Sequence, residues 1–258
     1  MSKFWSSMLV AAALLPGTAP AQNTASLDAS EIASRVVAAY GDQNDVLSVR
    51  AYRLDADITA HARQKRGKVS RISEGPEQLT VMVSYASDTE IRVFKDRQVL
   101  RGSSFQKLAP VGGPLRSAVI LQAMRSSLPW LLLDSRYTPK LESNSDDYHV
   151  LDIEPGEGML LRAFVDKKTF LISRVESLVR AGQKVVIFRT EYSDYREIGG
   201  VMFPFLEENY ASGVHTATTK VTGIELNPSN RNLVAPPYQM VRAGLLIDGS
   251  SLTSEKVR

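Results

Sequence analysis

The sequence predicts a mainly β (α+β) fold: one highly curved antiparallel sheet, an unclosed barrel, with two helices covering it. Three observations carry that expectation. Apolar and polar residues alternate with a period of two over most of the chain, and turn residues separate these stretches at hairpin spacing. Only two stretches change to the helical period, so the strand–helix rhythm of a parallel sheet is missing. At 258 residues, 43% of them hydrophobic, the chain can bury a sizeable core. No Pro/Ser-rich seam divides the strands, so residues 22–258 read as one domain with a weakly patterned tail over 243–258.

The elements follow in order. Residues 1–21 have the three parts of an export signal: Lys3, the apolar Met8 to Leu15, and Ala19-Pro20-Ala21 as a small-x-small cleavage site. The apolar part is shorter than the ~20 residues a bilayer requires, so a soluble, exported, periplasmic chain is expected. An amphipathic helix follows, capped by Asp28 or Ser30, with Ile32, Val36, Val37 and Tyr40 on one side and Gly41 at its end. Tyr52, Leu54, Ala56, Ile58 and Ala60 then alternate with polar residues as a long strand. Upstream, Leu47, Val49 and Ala51 reverse the parity, which predicts a bulge or bend near Arg50. Further strands are expected at 68–73, 78–85, 89–95 and 98–108. Ile120, Leu121, Met124, Leu128 and Leu131 mark a second helix over 115–133, with Arg116, Gln122 and Arg125 off that side and Pro129 interrupting it. The strand pattern resumes at 147–153, 158–166, 169–179, 184–195, 201–210 and 214–226.

Composition excludes more chemistry than it suggests. With no Cys, thiolate nucleophiles, disulfides and Cys-based metal sites are ruled out. No nucleophile elbow, phosphate loop, dinucleotide fingerprint or zincin motif occurs, so a non-enzymatic protein without a cofactor is expected. The three His, at 61, 149 and 215, lie far apart, and parity makes His61 a solvated residue. Asp55 and Asp57 share the polar face of their strand, and Glu154 and Glu157 flank a hairpin turn; both pairs read as solvated carboxylates. With 31 Lys+Arg against 28 Asp+Glu the balance is near neutral, and nucleic acid is not an expected partner.

Two features suggest binding. Arg63, Lys65, Arg66, Lys68 and Arg71 crowd one turn, where they could dock on an anionic membrane surface or an acidic partner. The helix at 115–133 could act as a lid over the concave sheet, enclosing an apolar cavity for an acyl chain. Tyr52, Leu54, Ile58, Ile120, Met124, Leu128 and Leu131 are its candidate lining.

The C-terminal half adds a resemblance. Val165-Asp166-Lys167-Lys168-Thr169-Phe170-Leu171-Ile172-Ser173-Arg174-Val175-Glu176 leads to Tyr192-Ser193-Asp194-Tyr195, and Gly199-Gly200-Val201-Met202-Phe203-Pro204-Phe205 follows. Thr218 to Asn227 and Ala235-Pro236-Pro237 close the pattern. This resembles the periplasmic outer-membrane lipoprotein-sorting, or lipoprotein carrier-like, superfamily, closely over about 160–237 and in layout elsewhere. The resemblance implies an unclosed, curved sheet covered by helices, with a hydrophobic cavity that holds acyl chains of lipids or lipoproteins. It also implies work alongside inner- or outer-membrane machinery. In true carriers an arginine closes the lid; Arg50 and Arg53 are the candidates here. The alternative is a regulatory or scaffolding domain of the same fold that binds a protein partner.

Overall fold

The structure, a computed structural model, describes residues 27–156, 158–231 and 233. The expected export signal, Glu157, Ala235-Pro236-Pro237 and the tail from 243 lie outside the described residues. Helix α1 spans Ala29–Tyr40, and the Asp28 carboxylate accepts the Glu31 amide at 2.8 Å, which settles the choice of cap. Gly41 follows because a side chain there would collide with the Gly200 carbonyl, where the chain end of α1 bridges to Val201.

Residues 43–51 correct the extended reading. Asp42 caps a short helix α2, Gln43–Ser48, by accepting the Asn44 amide at 2.8 Å. Local capping overrides the two-residue alternation of Leu47, Val49 and Ala51. The bend falls at Arg50, and the bulge lies further on. There Thr222 is the extra residue opposite Asp55/Ala56, its hydroxyl donating to the Asp55 carbonyl at 3.0 Å.

Thirteen strands form one antiparallel sheet. They are β1 Tyr52–Ala60, β2 Lys65–Ser73, β3 Leu79–Tyr85, β4 Thr89–Lys95, β5 Gln98–Ser103 and β6 Gln106–Pro110. After helix α3, Gly113–Ser126, come β7 Lys140–Asn144, β8 Tyr148–Gly156, β9 Met159–Asp166 and β10 Ile172–Ala181. β11 Lys184–Ile198, β12 Val201–Ala211 and β13 Val214–Leu226 complete the sheet. The segment expected as one strand over 98–108 is thus two, folded back at Ser104-Phe105. β7 has too few apolar residues to announce itself, since only Leu141 is half-buried in it.

The spatial order β6-β5-β4-β3-β2-β1-β13-β12-β11-β10-β9-β8-β7 shows how the meander is built. The chain starts at the centre, walks out to β6, and restarts at the far edge in β7 before returning to pair β13 with β1. Among the described residues β6 and β7 are the two edges, so the sheet does not close. Short edge strands carrying Lys107 and Pro110, or Lys140 and Glu142, discourage further pairing. α3 spans the gap inside the curve, touching β4 and β5 on one wing and β9 and β10 on the other. Its end is set by Ser127 and Pro129, after which Trp130–Leu133 form a separate 3-10 turn against α1. Among the described residues no helix is long and apolar enough to cross a membrane.

Candidate functional site

The centre of the sheet holds a buried ion pair. Arg71 on β2 and Glu207 on β12 flank the central strands β1 and β13 and meet over them. Arg71 Nη2 donates to Glu207 Oε1 at 2.7 Å and Nη1 to Oε2 at 3.4 Å. The residues are 7% and 3% exposed, so each charge depends on the other. Burial pushes the Glu207 carboxyl upward, but Arg71, with Arg125 adding to it, outweighs that and holds it below the ordinary glutamate range. Arg71 was expected among the docking cations, and its placement is a correction. It shares the inward parity of Val69 and Ser73, whereas Lys68 and Ser70 point outward to Asp57 and Asp55.

Arg71, Glu207, Arg125 and Leu54 form a wall common to two cavities. The larger, of about 320 Å³, lies between α3 and the sheet. Leu54, Ile58, Val69, Val81, Val83 and Phe188 supply its apolar surface. Arg92, Gln122, Arg125 and Arg189 make much of the rest polar. Arg92 Nη1 donates to Gln122 Oε1 at 3.2 Å. Burial holds the Arg92 guanidinium below its ordinary range; Glu90 opposes this, and Arg125 and Arg101 reinforce it.

The second space, about 30 Å³, is almost filled by aromatic rings. Tyr52 stacks on Trp130 at 5.8 Å between ring centres and meets Phe203 edge-on at 5.3 Å. Its hydroxyl donates to the Ser126 carbonyl at 2.5 Å, Trp130 Nε1 donates to the Val46 carbonyl at 2.6 Å, and Tyr195 donates to the Ile172 carbonyl at 2.5 Å. The Tyr40 and Tyr195 hydroxyls lie 3.0 Å apart. Burial pushes Tyr40 up to about 12, with the hydrogen bond to Tyr195 pulling the other way.

The candidate lining residues divide between these places. Leu54 and Ile58 line the larger cavity; Tyr52, Leu54 and Leu128 line the smaller. Ile120, Met124 and Leu131 are buried in the filled core and border neither. Of the surface cations, Arg63 pairs with Glu90 and Lys68 with Asp57, while Lys65 lies over the Tyr85 ring and Arg66 is exposed. Arg53 pairs with Asp55 at 2.9 Å, Arg50 is exposed, and neither lines the two spaces beneath α3.

His61 is exposed, as its parity implies, but folding brings its ring to 4.3 Å from that of His215, with Thr218 Oγ1 beside both. His149 is buried against Phe170, and its Nδ1 is 2.6 Å from Asn144 Oδ1. Asp57 and Glu154 are taken by Lys68 and Lys140. Among the described residues no group of three His, Asp or Glu could hold a metal.

Sequence reasoning missed Glu207, Arg92, Gln122, Arg125 and Arg189. Glu207 left a signal: it keeps the parity of Val201, Phe203 and Phe205, and a carboxylate on the buried side of a strand needs a partner.

No family model matches the chain, and no curated protein matches it significantly by sequence. Solved structures do. A LolA superfamily protein from Nitrosomonas europaea matches with a TM-score of 0.55 at 16% identity, over 83% of this chain and 100% of that one. A candidate outer membrane lipoprotein-sorting protein domain from Vibrio parahaemolyticus matches at 0.51 and 9% identity, over 79% and 94%. A DUF1329 family protein from Desulfovibrio piger matches at 0.53 and 11% identity, over 79% and 95%. The open thirteen-stranded sheet with its inner helices is therefore a LolA-like fold, as the C-terminal sequence pattern implied.

Proposed function

We propose that the chain is an exported, non-enzymatic protein that holds an acyl chain of a lipid or lipoprotein between α3 and the sheet. One observation carries this reading: a cavity of about 320 Å³ whose wall includes Leu54, Ile58, Val69, Val81, Val83 and Phe188. That volume is at the low end of ligand pockets, which run from roughly 300 to 1,000 Å³, and suits one chain rather than several. The LolA-like fold supports the reading, since one protein sharing it is described as a candidate lipoprotein-sorting domain. The export signal at 1–21 supports a site of action outside the cytoplasm, in the periplasm, next to membrane machinery.

Native mass spectrometry of protein purified from exported material tests the proposal, together with titration by a fluorescent fatty acid. A co-purifying amphiphile and saturable binding at one site are expected. A ligand-free protein that binds no fatty acid would overturn the reading and favour a scaffolding domain that binds a protein partner.

A further inference from the structure

The larger cavity carries a charge imbalance that a hydrocarbon chain leaves unanswered. Four arginines, Arg71, Arg92, Arg125 and Arg189, line it against one carboxylate, Glu207. Arg71 is taken by Glu207. Arg189 has Glu191 3.3 Å from its Nε and lies over the Tyr210 ring. Arg92 and Arg125 remain. Among the described residues no carboxylate lies within ion-pair distance of either, and the hydrogen bond Arg92 makes is to the neutral Gln122. In the same wall, the buried Nε atoms of Arg71 and Arg92 and the Ser177 hydroxyl have no hydrogen-bond partner. Those three belong to the eight such side-chain atoms found among the described residues. Buried donors without acceptors destabilise a fold, so their concentration around one cavity points to an acceptor that is supplied from outside.

We infer that this cavity takes the anionic head of a single-chain amphiphile, a carboxylate or phosphate held by Arg92 and Arg125, with its tail along the apolar wall. The inference rests on the acyl-chain reading and turns the ligand round, head inside rather than in water. Guanidinium groups suit this, because their planar donors match carboxylate and phosphate oxygens two at a time. Gln122 is a positioning residue: by accepting from Arg92 Nη1 it leaves Nε and Nη2 of that side chain for the oxyanion. Leu54, Ile58, Val81 and Phe188 supply the adjoining hydrocarbon surface.

Palmitate, hexadecyl phosphate and hexadecanol, used to displace a fluorescent fatty acid, test this on the whole exported chain. Either anion should bind on the order of tenfold or more tightly than the alcohol, as charge-assisted hydrogen bonds imply. Arg92→Gln and Arg125→Gln should each erode that preference, weakening palmitate and hexadecyl phosphate by a larger factor than hexadecanol. A second readout needs no variant. The carboxyl carbon-13 resonance of bound palmitate should titrate at lower pH than that of the free acid, because neighbouring guanidiniums favour the charged form. A preference for either anion supports the inference and identifies the oxyanion. Equal binding of palmitate and hexadecanol, with an unshifted carboxyl titration, would overturn the buried head and leave the acyl-chain reading standing. Failure of all three probes to bind would overturn both.

Discussion

The two spaces beneath α3 share a wall and differ in how their polar groups are treated. In the aromatic space the Tyr52 and Tyr195 hydroxyls and Trp130 Nε1 each donate to a carbonyl, Ser126 Oγ is left without a partner, and only about 30 Å³ is open. In the larger cavity the Nε atoms of Arg71 and Arg92 and the Ser177 hydroxyl have no hydrogen-bond partner around about 320 Å³. Close packing with mostly satisfied polar groups fixes one structure, whereas unsatisfied donors around a void leave room for an acceptor. The helix above both spaces sends Leu121, Ala123 and Met124 into the core, while Leu115, Ala118, Val119, Gln122 and Arg125 line the larger cavity.

The ion pair in the common wall offers the largest effect. Glu207→Leu leaves Arg71 buried without its partner and should cost about 3–5 kcal/mol in denaturant unfolding, whereas Arg71→Met combined with Glu207→Leu should recover much of that loss. A single substitution costing no more than the double would mean that Arg71 finds water when Glu207 is removed.

Core truncation comes next. Met124→Ala should cost about 2–5 kcal/mol with little effect on fatty-acid binding, because Met124 is 1% exposed and borders neither space. Ile58→Ala, on the wall of the larger cavity, should cost less than Met124→Ala and change affinity more. The reverse ranking would erase the contrast between filled and open regions.

Acid separates the regions by sign. A carboxyl held below its ordinary value in the folded state stabilises above the unfolded value, and that stability is lost as pH falls through the folded value. The parent should therefore lose stability progressively below about pH 4.5, the reference value for glutamate, and Glu207→Gln should flatten that part of the profile. At the other end Tyr40, raised to about 12, stabilises fully below its reference value of 10 and loses this as pH rises. Tyr40→Phe should lessen the alkaline decline above about pH 10, which the buried Tyr52, Tyr192 and Tyr195 share, and leave the acid limb alone. Denaturant midpoints measured across both limbs check the two signs.

The smallest effect is expected at the basic tip, which we propose as a docking surface for an anionic membrane or acidic partner. Changing Arg63, Lys65, Arg66 and Lys68 to Ser should weaken vesicle binding by ~1 kcal/mol per free cation. The total should fall short of four such contributions, because Glu90 and Asp57 already engage Arg63 and Lys68. Binding insensitive to these changes and to salt would leave the tip a solubilising turn.

The sequence by itself determined the local elements, since period, caps and turns are properties of neighbouring residues. The strands at Tyr52–Ala60, Thr89–Lys95, Val201–Ala211 and Val214–Leu226, and helix α1 ending at Gly41, were legible in this way. So was the open, curved antiparallel sheet, from uninterrupted hairpin spacing and the pattern around Gly199-Gly200. α2 and β7 were not legible, being held by a single cap and by pairing with β8 rather than by any apolar period of their own. Only the tertiary structure decided the site. Arg71 and Glu207 are 136 residues apart and become partners because the first and last strands of the meander pair at its centre. The strand parity of Arg71 shows that it faces inward, but not which residue lies across two strands from it. Nor could the helical pattern of α3 reveal that the side carrying Leu115, Val119, Gln122 and Arg125 would overlie a cavity; that depends on how the two wings of the sheet curve around it.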